Sequence, residues 1–221
     1  FIITLMTSSS PLLQASQLRL AVLLLAAGEG SRLGNHPKVL LRKESQTLLQ
    51  RFSSEIQAFS PVEYIVVTGF HAQAIELEIA KINTSIALPI KFARNTTPEK
   101  GQPSSVRLGL ESLQEKFDVL LVALSDQPEI AASEIQELLE AFLKREGCEE
   151  IILPIVAGKR GNPVLFSYKA VLDVLETPGM VCREYMDIHP DKVRAMPTSH
   201  QAFVMDVDTP EDIQTHKLSL T

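Results

Sequence analysis

The apolar run Ala21–Ala27, followed at once by Gly28-Glu29-Gly30-Ser31-Arg32-Leu33-Gly34, constrains this chain more than any other stretch. Seven residues are too few to cross a bilayer, and they match a strand buried on both faces, as in a parallel sheet. Gly28, Gly30 and Gly34 let the backbone enter φ > 0 and let a ligand approach the main chain closely. Backbone N–H groups in such a loop are disposed to hold phosphate oxygens. Arg32 and Lys38 add a forked donor and a point charge. A glycine-rich turn with two solvated cations is the competing reading. Two better-known phosphate loops are excluded. A Walker A loop continues from its last Gly into Lys and then Ser or Thr, and here Asn35 follows Gly34. A dinucleotide fingerprint is spaced G-x-G-x-x-G, and here the spacing is G-x-G-x-x-x-G.

At 221 residues the expectation is a single domain over residues 21–221, preceded by an N-terminal lead, 1–20, that is partly disordered. The lead has no basic start, and its apolar stretch is broken by Thr7–Pro11, so it is a poor signal peptide. The net charge of −6 argues against a nucleic-acid or anionic-membrane partner and leaves room for a local basic pocket. Cys148 and Cys182 form no C-x-x-C and fit reduced, inert thiols of a cytoplasmic protein.

Strand and helix signals alternate from Ala21 to Val156. Strands are expected at Ala21–Ala27, Tyr64–Thr68, Pro89–Ala93, Asp118–Leu124 and Glu150–Val156. Helices are expected at Thr47–Phe59, Ala72–Lys81, Ser104–Glu115 and Ala131–Arg145. This order predicts a three-layer, Rossmann-like α/β fold, a mainly parallel sheet with helices on both faces. Ligands of such sheets bind beyond the strands' carboxyl ends, where Gly28–Lys38, Thr68–Phe70 and Ser125–Glu129 then converge. The last part of the chain breaks the rhythm. Strands are expected at Asn162–Ser167 and Ala202–Met205, and helices near Tyr168–Glu176 and Val181–Ile188. A final helix over Thr209–Lys217 opens on a Thr209, Pro210, Asp212 capping signal.

Two acidic stretches follow apolar runs. Asp126, in Ser125-Asp126-Gln127-Pro128, stands directly after a buried strand, where a carboxylate suits Mg²⁺ shared with phosphates. Asp206 and Asp208 point the same way if Asp206-Val207-Asp208 is extended, so either could be a second ligand. Helix capping is the alternative for Asp208, and a self-bonded turn is the alternative for Asp126. The five histidines have no metal-ligand spacing and receive no role. Ser31 has no visible His/Asp partners for a hydrolase triad.

Five stretches in order resemble those of the molybdenum cofactor nucleotidyltransferase family. The first is Leu25, Ala26, Ala27, Gly28, Gly30, Arg32, Gly34 and Lys38, similar to the family's L-A-A-G-x-G-x-R-x-G and lysine. The others are Gly101 to Leu110 with Ser105 and Arg107, the Asp126-x-Pro128 turn, Gly161-Asn162-Pro163-Val164-Leu165-Phe166, and Asp206 to Asp212. The resemblance implies a nucleotide-diphospho-sugar transferase type of fold and transfer of a nucleoside monophosphate from an NTP to molybdopterin phosphate, with release of pyrophosphate. It implies catalytic roles for Arg32, Lys38 and Asp126. Substrate contacts are expected at Leu25, Ala26, Ala27, Gly28, Gly30, Thr68, Asn95, Gly101, Ser105, Gly161 and Pro163. Asp126, Asp206 and Asp208 are the expected ligands of Mg²⁺ or Mn²⁺. Ala27, where guanylyl members typically carry Gly, implies CTP over GTP. A molybdoenzyme or its chaperone is the implied protein partner. Lys159 and Arg160 are placed to meet an anionic acceptor, and Met180 stands where the family often has Asp. A sugar- or alcohol-phosphate nucleotidyltransferase and a non-catalytic cofactor carrier are the alternatives.

Overall fold

All seven residues of β1 (Leu20–Ala26) are buried, and an apolar run without polar breaks must be covered on both faces. That demand organises the whole computed structural model, which describes residues 18–87 and 89–220. Most of the expected lead lies outside the described residues. After β1 come the short strands β2 (Arg42–Lys43) and β3 (Gln46–Thr47), then α1 (Leu48–Gln57), β4 (Glu63–Thr68) and α2 (Ala72–Ile82). Next are β5 (Lys91–Arg94), α3 (Gln102–Glu111), β6 (Val119–Leu124), α4 (Ala132–Leu143) and β7 (Ile151–Val156). The chain continues through β8 (Lys159–Arg160), β9 (Val164–Ser167), α5 (Tyr168–Glu176) and α6 (Cys182–Ile188). It closes with β10 (Val193–Pro197), α7 (Pro210–Thr215) and β11 (Leu218–Ser219).

The main sheet has the order β10-β7-β9-β6-β1-β4-β5, with β8 paired to β7. β1 lies between β4 and β6, parallel to both, in the register Val22↔Tyr64 and Leu23↔Val122. In that row β9 runs against both its neighbours, β6 and β7. Alternate residues of β1 serve two cores, because successive side chains of a strand point to opposite faces. Leu20, Val22 and Leu24 join Leu49, Phe52, Ile75, Ile79, Leu138 and Phe142 from α1, α2 and α4. On the other face, Ala21, Leu23 and Leu25 meet Val106, Leu110, Val171, Val174 and Tyr185 from α3, α5 and α6. Each fully buried large aliphatic side chain contributes about 1.5–3 kcal/mol, so the two cores together fix the three layers expected from the sequence.

The helices follow their local signals. Thr47 caps α1, and Gln50 returns the bond to the Thr47 N–H. Thr209 and Asp212 form the same reciprocal cap on α7. The expected strand at Ala202–Met205 is instead a single 3₁₀ turn, Gln201–Val204. Its apolar spacing has another cause: Phe203 is fully buried, and its carbonyl accepts from Asn162 N–H at 2.8 Å and Gln127 Nε2 at 3.0 Å. The strand that does form nearby, β10, reads Val-Arg-Ala-Met-Pro and buries only Met196. It is an edge strand, which is where a sheet tolerates Pro. β11, β2 and β3 make a small antiparallel sheet, beside which Leu33, Leu41, Leu48, Val207 and Leu218 form a satellite core. Among the described residues no helix is long and apolar enough to cross a membrane.

Candidate active site

The loop after β1 is shaped by two of its three glycines. Gly30 and Gly34 have φ of 69° and 66°, whereas Gly28 is outside the positive-φ set, so the sequence expectation holds for two positions of the three. A Cβ on Gly30 would come 2.1 Å from the His36 carbonyl oxygen. Leu33 N–H and Asn35 N–H both donate to the Gly30 carbonyl, at 2.9 and 3.0 Å. Leu33 then anchors the turn in the satellite core. His71, given no role from sequence, places Nε2 2.7 Å from the Glu29 carbonyl and braces the loop from the α2 side.

Lys38 closes this loop and lies between two carboxylates. Its Nζ is 2.9 Å from Asp126 Oδ2 and 2.5 Å from Asp208 Oδ1. Burial draws the ammonium pKa down, and the two carboxylates outweigh it, leaving Lys38 above its ordinary value. Arg32 is largely exposed at the rim, with Nη1 3.7 Å from Asp208 Oδ2. Asp126 follows β6 closely, and its carbonyl accepts from Val207 N–H at 2.9 Å, which fixes the Asp206–Asp208 turn beside it. Burial, then repulsion from Asp126 and Asp208, pushes the Asp206 carboxyl up. Asp208 also belongs to the α7 cap, its N–H donating to Asp212 Oδ2 at 2.9 Å.

The three carboxylates expected from sequence to hold a metal lie near one another, with Lys38 between two of them. Among the described residues no group of three or more His, Cys, Asp and Glu side chains is disposed to hold a metal. The Lys38 ammonium sits between Asp126 and Asp208. What the site does hold fits Mg²⁺ or Mn²⁺ of the phosphate-sharing kind, which asks for only one or two carboxylates. Asp126 Oδ1 is buried without a hydrogen-bond partner, an oxygen that a cation or a water can satisfy.

A cleft of about 400 Å³ opens over the carboxyl ends of β1 and β6. Of the expected substrate contacts, Leu25, Ala26, Ala27, Gly28, Gly101 and Ser105 line it, together with Lys38 and Asp126. Gly30, Asn95, Thr68 and the expected catalytic Arg32 are not among its lining residues. Asn95 is buried behind the wall, its Nδ2 donating to Ser104 Oγ at 2.8 Å and Ser105 Oγ at 3.0 Å. Thr68 is fully buried and donates its hydroxyl to Glu76 Oε1 at 3.0 Å. Both polar side chains at strand ends are satisfied by protein, so they hold the wall and do not face the cleft. Phe70, Gln102 and Glu29 line the cleft and were missed. An aromatic residue in the turn just after a buried strand was the available signal for Phe70.

A second cleft, of about 570 Å³, adjoins the first and shares Leu25, Gln102 and Leu124 with it. Gly161 lines it, and a Cβ there would meet Phe203 at 2.8 Å. Pro163 is buried and is not among its lining residues, although Asn162 and Val164 on either side are. Lys159, Arg160 and Arg183 border this cleft. Arg160 is held by Asp187 at 2.5 Å. Met180 packs against the second core instead of lining the cleft. Cys182 is on the cleft wall, and burial pushes its thiol up to about 12, so it stays protonated.

Comparison with known proteins follows the same geography. The model of the MobA-like NTP transferase domain matches residues 22–183, which hold every residue lining the two clefts except Met186; the Asp206–Asp208 turn lies beyond it. The bifunctional protein GlmU of Prochlorococcus marinus is 27% identical over 148 residues, covering 66% of this chain and 31% of that protein. Nicotine blue oxidoreductase of Paenarthrobacter nicotinovorans is 34% identical over 116 residues, covering 52% of this chain and 53% of the relative. The chain thus spans about a third to a half of the length of these curated relatives. Among solved structures, Rv0371c of Mycobacterium tuberculosis aligns with a TM-score of 0.68 at 21% identity, over 90% of this chain and 97% of that one. The 4-diphosphocytidyl-2C-methyl-D-erythritol synthase of Anaerococcus prevotii aligns with a TM-score of 0.68 at 14% identity, over 94% and 97%. These likenesses establish the nucleotide-diphospho-sugar transferase type of fold. With the family model covering most of its length, the chain belongs to the MobA-like NTP transferase family.

Proposed function

We propose that this protein transfers a nucleoside monophosphate from an NTP, CTP by preference, to the phosphate of a molybdopterin-type acceptor and releases pyrophosphate. The observation that carries the reading is the placing of Lys38 and Asp126 beside a glycine-shaped loop, in a cleft that adjoins a second one. Two substrates can then meet at Leu25, Gln102 and Leu124. Transfer of this kind rests on positioning and charge stabilisation, without a protein nucleophile. The loop from Ala27 to Gly34 offers backbone N–H groups to the phosphates. Lys38 supplies a fixed positive charge where negative charge develops, and Arg32 adds a second cation at the rim. Asp126, with Asp206 or Asp208 beside it, would hold Mg²⁺ or Mn²⁺, which supplies further charge stabilisation to the phosphates.

The second cleft supports an acceptor with a substantial apolar or planar body. Its floor includes Val122, Leu153, Val164 and Phe166, between Val106 on one wall and Met186 on the other. A polyhydroxylated sugar asks for many hydrogen-bond partners, which favours the pterin-type acceptor over the sugar-phosphate alternative. Lys159 and Arg183 are the cations available to its anionic groups. The reading places the protein in the cytoplasm, with a molybdoenzyme or its chaperone receiving the product. The deciding measurement is pyrophosphate release from CTP and GTP with Mg²⁺ and either molybdopterin or a panel of sugar phosphates. Turnover with molybdopterin is expected. Turnover confined to a sugar phosphate overturns the acceptor, and NTP binding without any turnover leaves a carrier.

A further inference from the structure

Arg107 lines neither cleft, yet it ties α3, on one side of the second cleft, to the end of α5, the helix that precedes α6 on the other side. It stands on α3, whose Gln102, Pro103 and Val106 form the near wall. The far wall is Val181, Cys182, Arg183 and Met186, at and within α6. The end of α5 comes just before α6 in the chain and lines neither wall. Arg107 Nη1 donates to the carbonyls of Val174 at 3.1 Å and Thr177 at 3.0 Å, and Nη2 donates to Leu175 at 2.9 Å. Nε donates to Glu111 Oε1 at 2.6 Å, one turn along α3. Val174 and Leu175 belong to the last turn of α5, and Thr177 is its C-cap. Carbonyls there have no partner within their own helix and present the negative end of its dipole. A planar guanidinium satisfies several of them at once, which a single ammonium on a flexible stem does not.

The chain after this cap is short. Met180 N–H turns back onto the Thr177 carbonyl at 3.2 Å, and Val181 immediately caps α6. Thus the point at which α5 is held on α3 also sets where α6 begins. We propose that Arg107 is a positioning residue that fixes the separation of the two walls of the second cleft, and so the fit of the acceptor, without touching either substrate. The acceptor part of this proposal rests on the function proposed above; the wall-setting part does not.

The test uses the full-length chain with Arg107→Gln, Arg107→Lys and Glu111→Gln. Steady-state kinetics are measured with CTP, Mg²⁺ and molybdopterin. In Arg107→Gln the KM for molybdopterin should rise roughly tenfold while the KM for CTP stays within about twofold. Arg107→Lys should recover part of that loss, and Glu111→Gln, which leaves the three carbonyl contacts in place, should change neither KM. A parallel rise of both KM values in Arg107→Gln, or of neither, overturns the proposal. Hydrogen–deuterium exchange of the substrate-free protein gives a reading that needs no acceptor. Amides of Val181–Met186 should exchange roughly tenfold faster in Arg107→Gln, with those of Ala27–Leu33 unchanged. Unchanged exchange at Val181–Met186 overturns the wall-setting role even if molybdopterin proves to be the wrong acceptor. Wild-type inactivity with molybdopterin, alongside faster exchange in the variant, overturns the acceptor and supports the positioning role.

Discussion

Replacing Asp126 by Asn keeps the side chain's shape and removes its charge. Lys38 keeps its contact with Asp208, so the loop retains an anchor. We expect Asp126→Asn to lower kcat/KM by about a hundredfold or more, the scale seen when a charge-stabilising group is lost, with a thermal midpoint within a few degrees of wild type. Pyrophosphate release and a melting curve check the two parts, and near-wild-type turnover would refute the role. Ala27 carries a second expectation. Its methyl faces Gly69 so closely that a Cβ added to Gly69 would lie 2.7 Å from it. Ala27→Gly opens space at that contact, beside the cleft, and should shift relative kcat/KM toward GTP within the roughly 1–3 kcal/mol that one pocket contact can discriminate. An unchanged CTP/GTP ratio would show that this methyl does not read the base. The positions of Lys38 and Asp126 beside the loop after β1, and the positive φ of Gly30 and Gly34, were legible because both follow from where an apolar strand ends. Asn95 and Thr68 were not, because a polar residue at a strand end does not reveal whether ligand or protein satisfies it. Here Ser104, Ser105 and Glu76 do.

At the scale of elements, α3 lies unusually close to the sheet because Gly109 has no side chain. A Cβ there would sit 2.6 and 2.7 Å from the two methyls of Leu23 and 3.0 Å from Val67. Gly109→Ala should therefore destabilise the fold by about 1–3 kcal/mol through overpacking, despite the better helix propensity of Ala. Denaturant midpoints measure it, and a stabilised variant would show that Leu23 moves aside freely. Most strands and helices up to β7 were legible because they bury an uninterrupted run or a regular stripe: Ile135, Leu138, Leu139 and Phe142 of α4 are all buried as their spacing requires, whereas β5 buries none of its four residues. β10 was not, since a strand at the edge with one buried side chain has no periodic signature. The same holds for β2, β3 and β11, two residues each. Phe203 misled in the opposite direction, because an apolar anchor in a 3₁₀ turn resembles a strand when read in sequence alone.

For the whole molecule, acid should loosen the sheet from its surface inward. Glu63 begins β4 with its side chain fully buried. Burial alone would raise its carboxyl, but hydrogen bonds from Lys91 and from the Gln114 and Glu115 N–H groups outweigh it and hold the pKa below the ordinary carboxylate range. A depressed folded-state pKa gives stability that is present above the unfolded pKa and is lost as pH falls through the folded one. Unfolding free energy should thus decline below about pH 4.5, the region of an ordinary Glu, and the decline should be shallower in Glu63→Gln. Equal slopes in the two proteins would remove Glu63 from the account. At the same scale, the reversed direction of β9 has a consequence for how the protein can change. Every residue lining the first cleft precedes Gln127, whereas the floor and far wall of the second come largely from Leu153–Met186. A parallel strand would deliver the residues after it to this edge of the sheet. β9, running the other way, delivers the residues before it, with Val164 beside Val122. On the proposed function, the NTP side is written before Gln127 and most of the acceptor side between Leu153 and Met186, so exchanging the later stretch alone should alter the acceptor and leave the base preference in place.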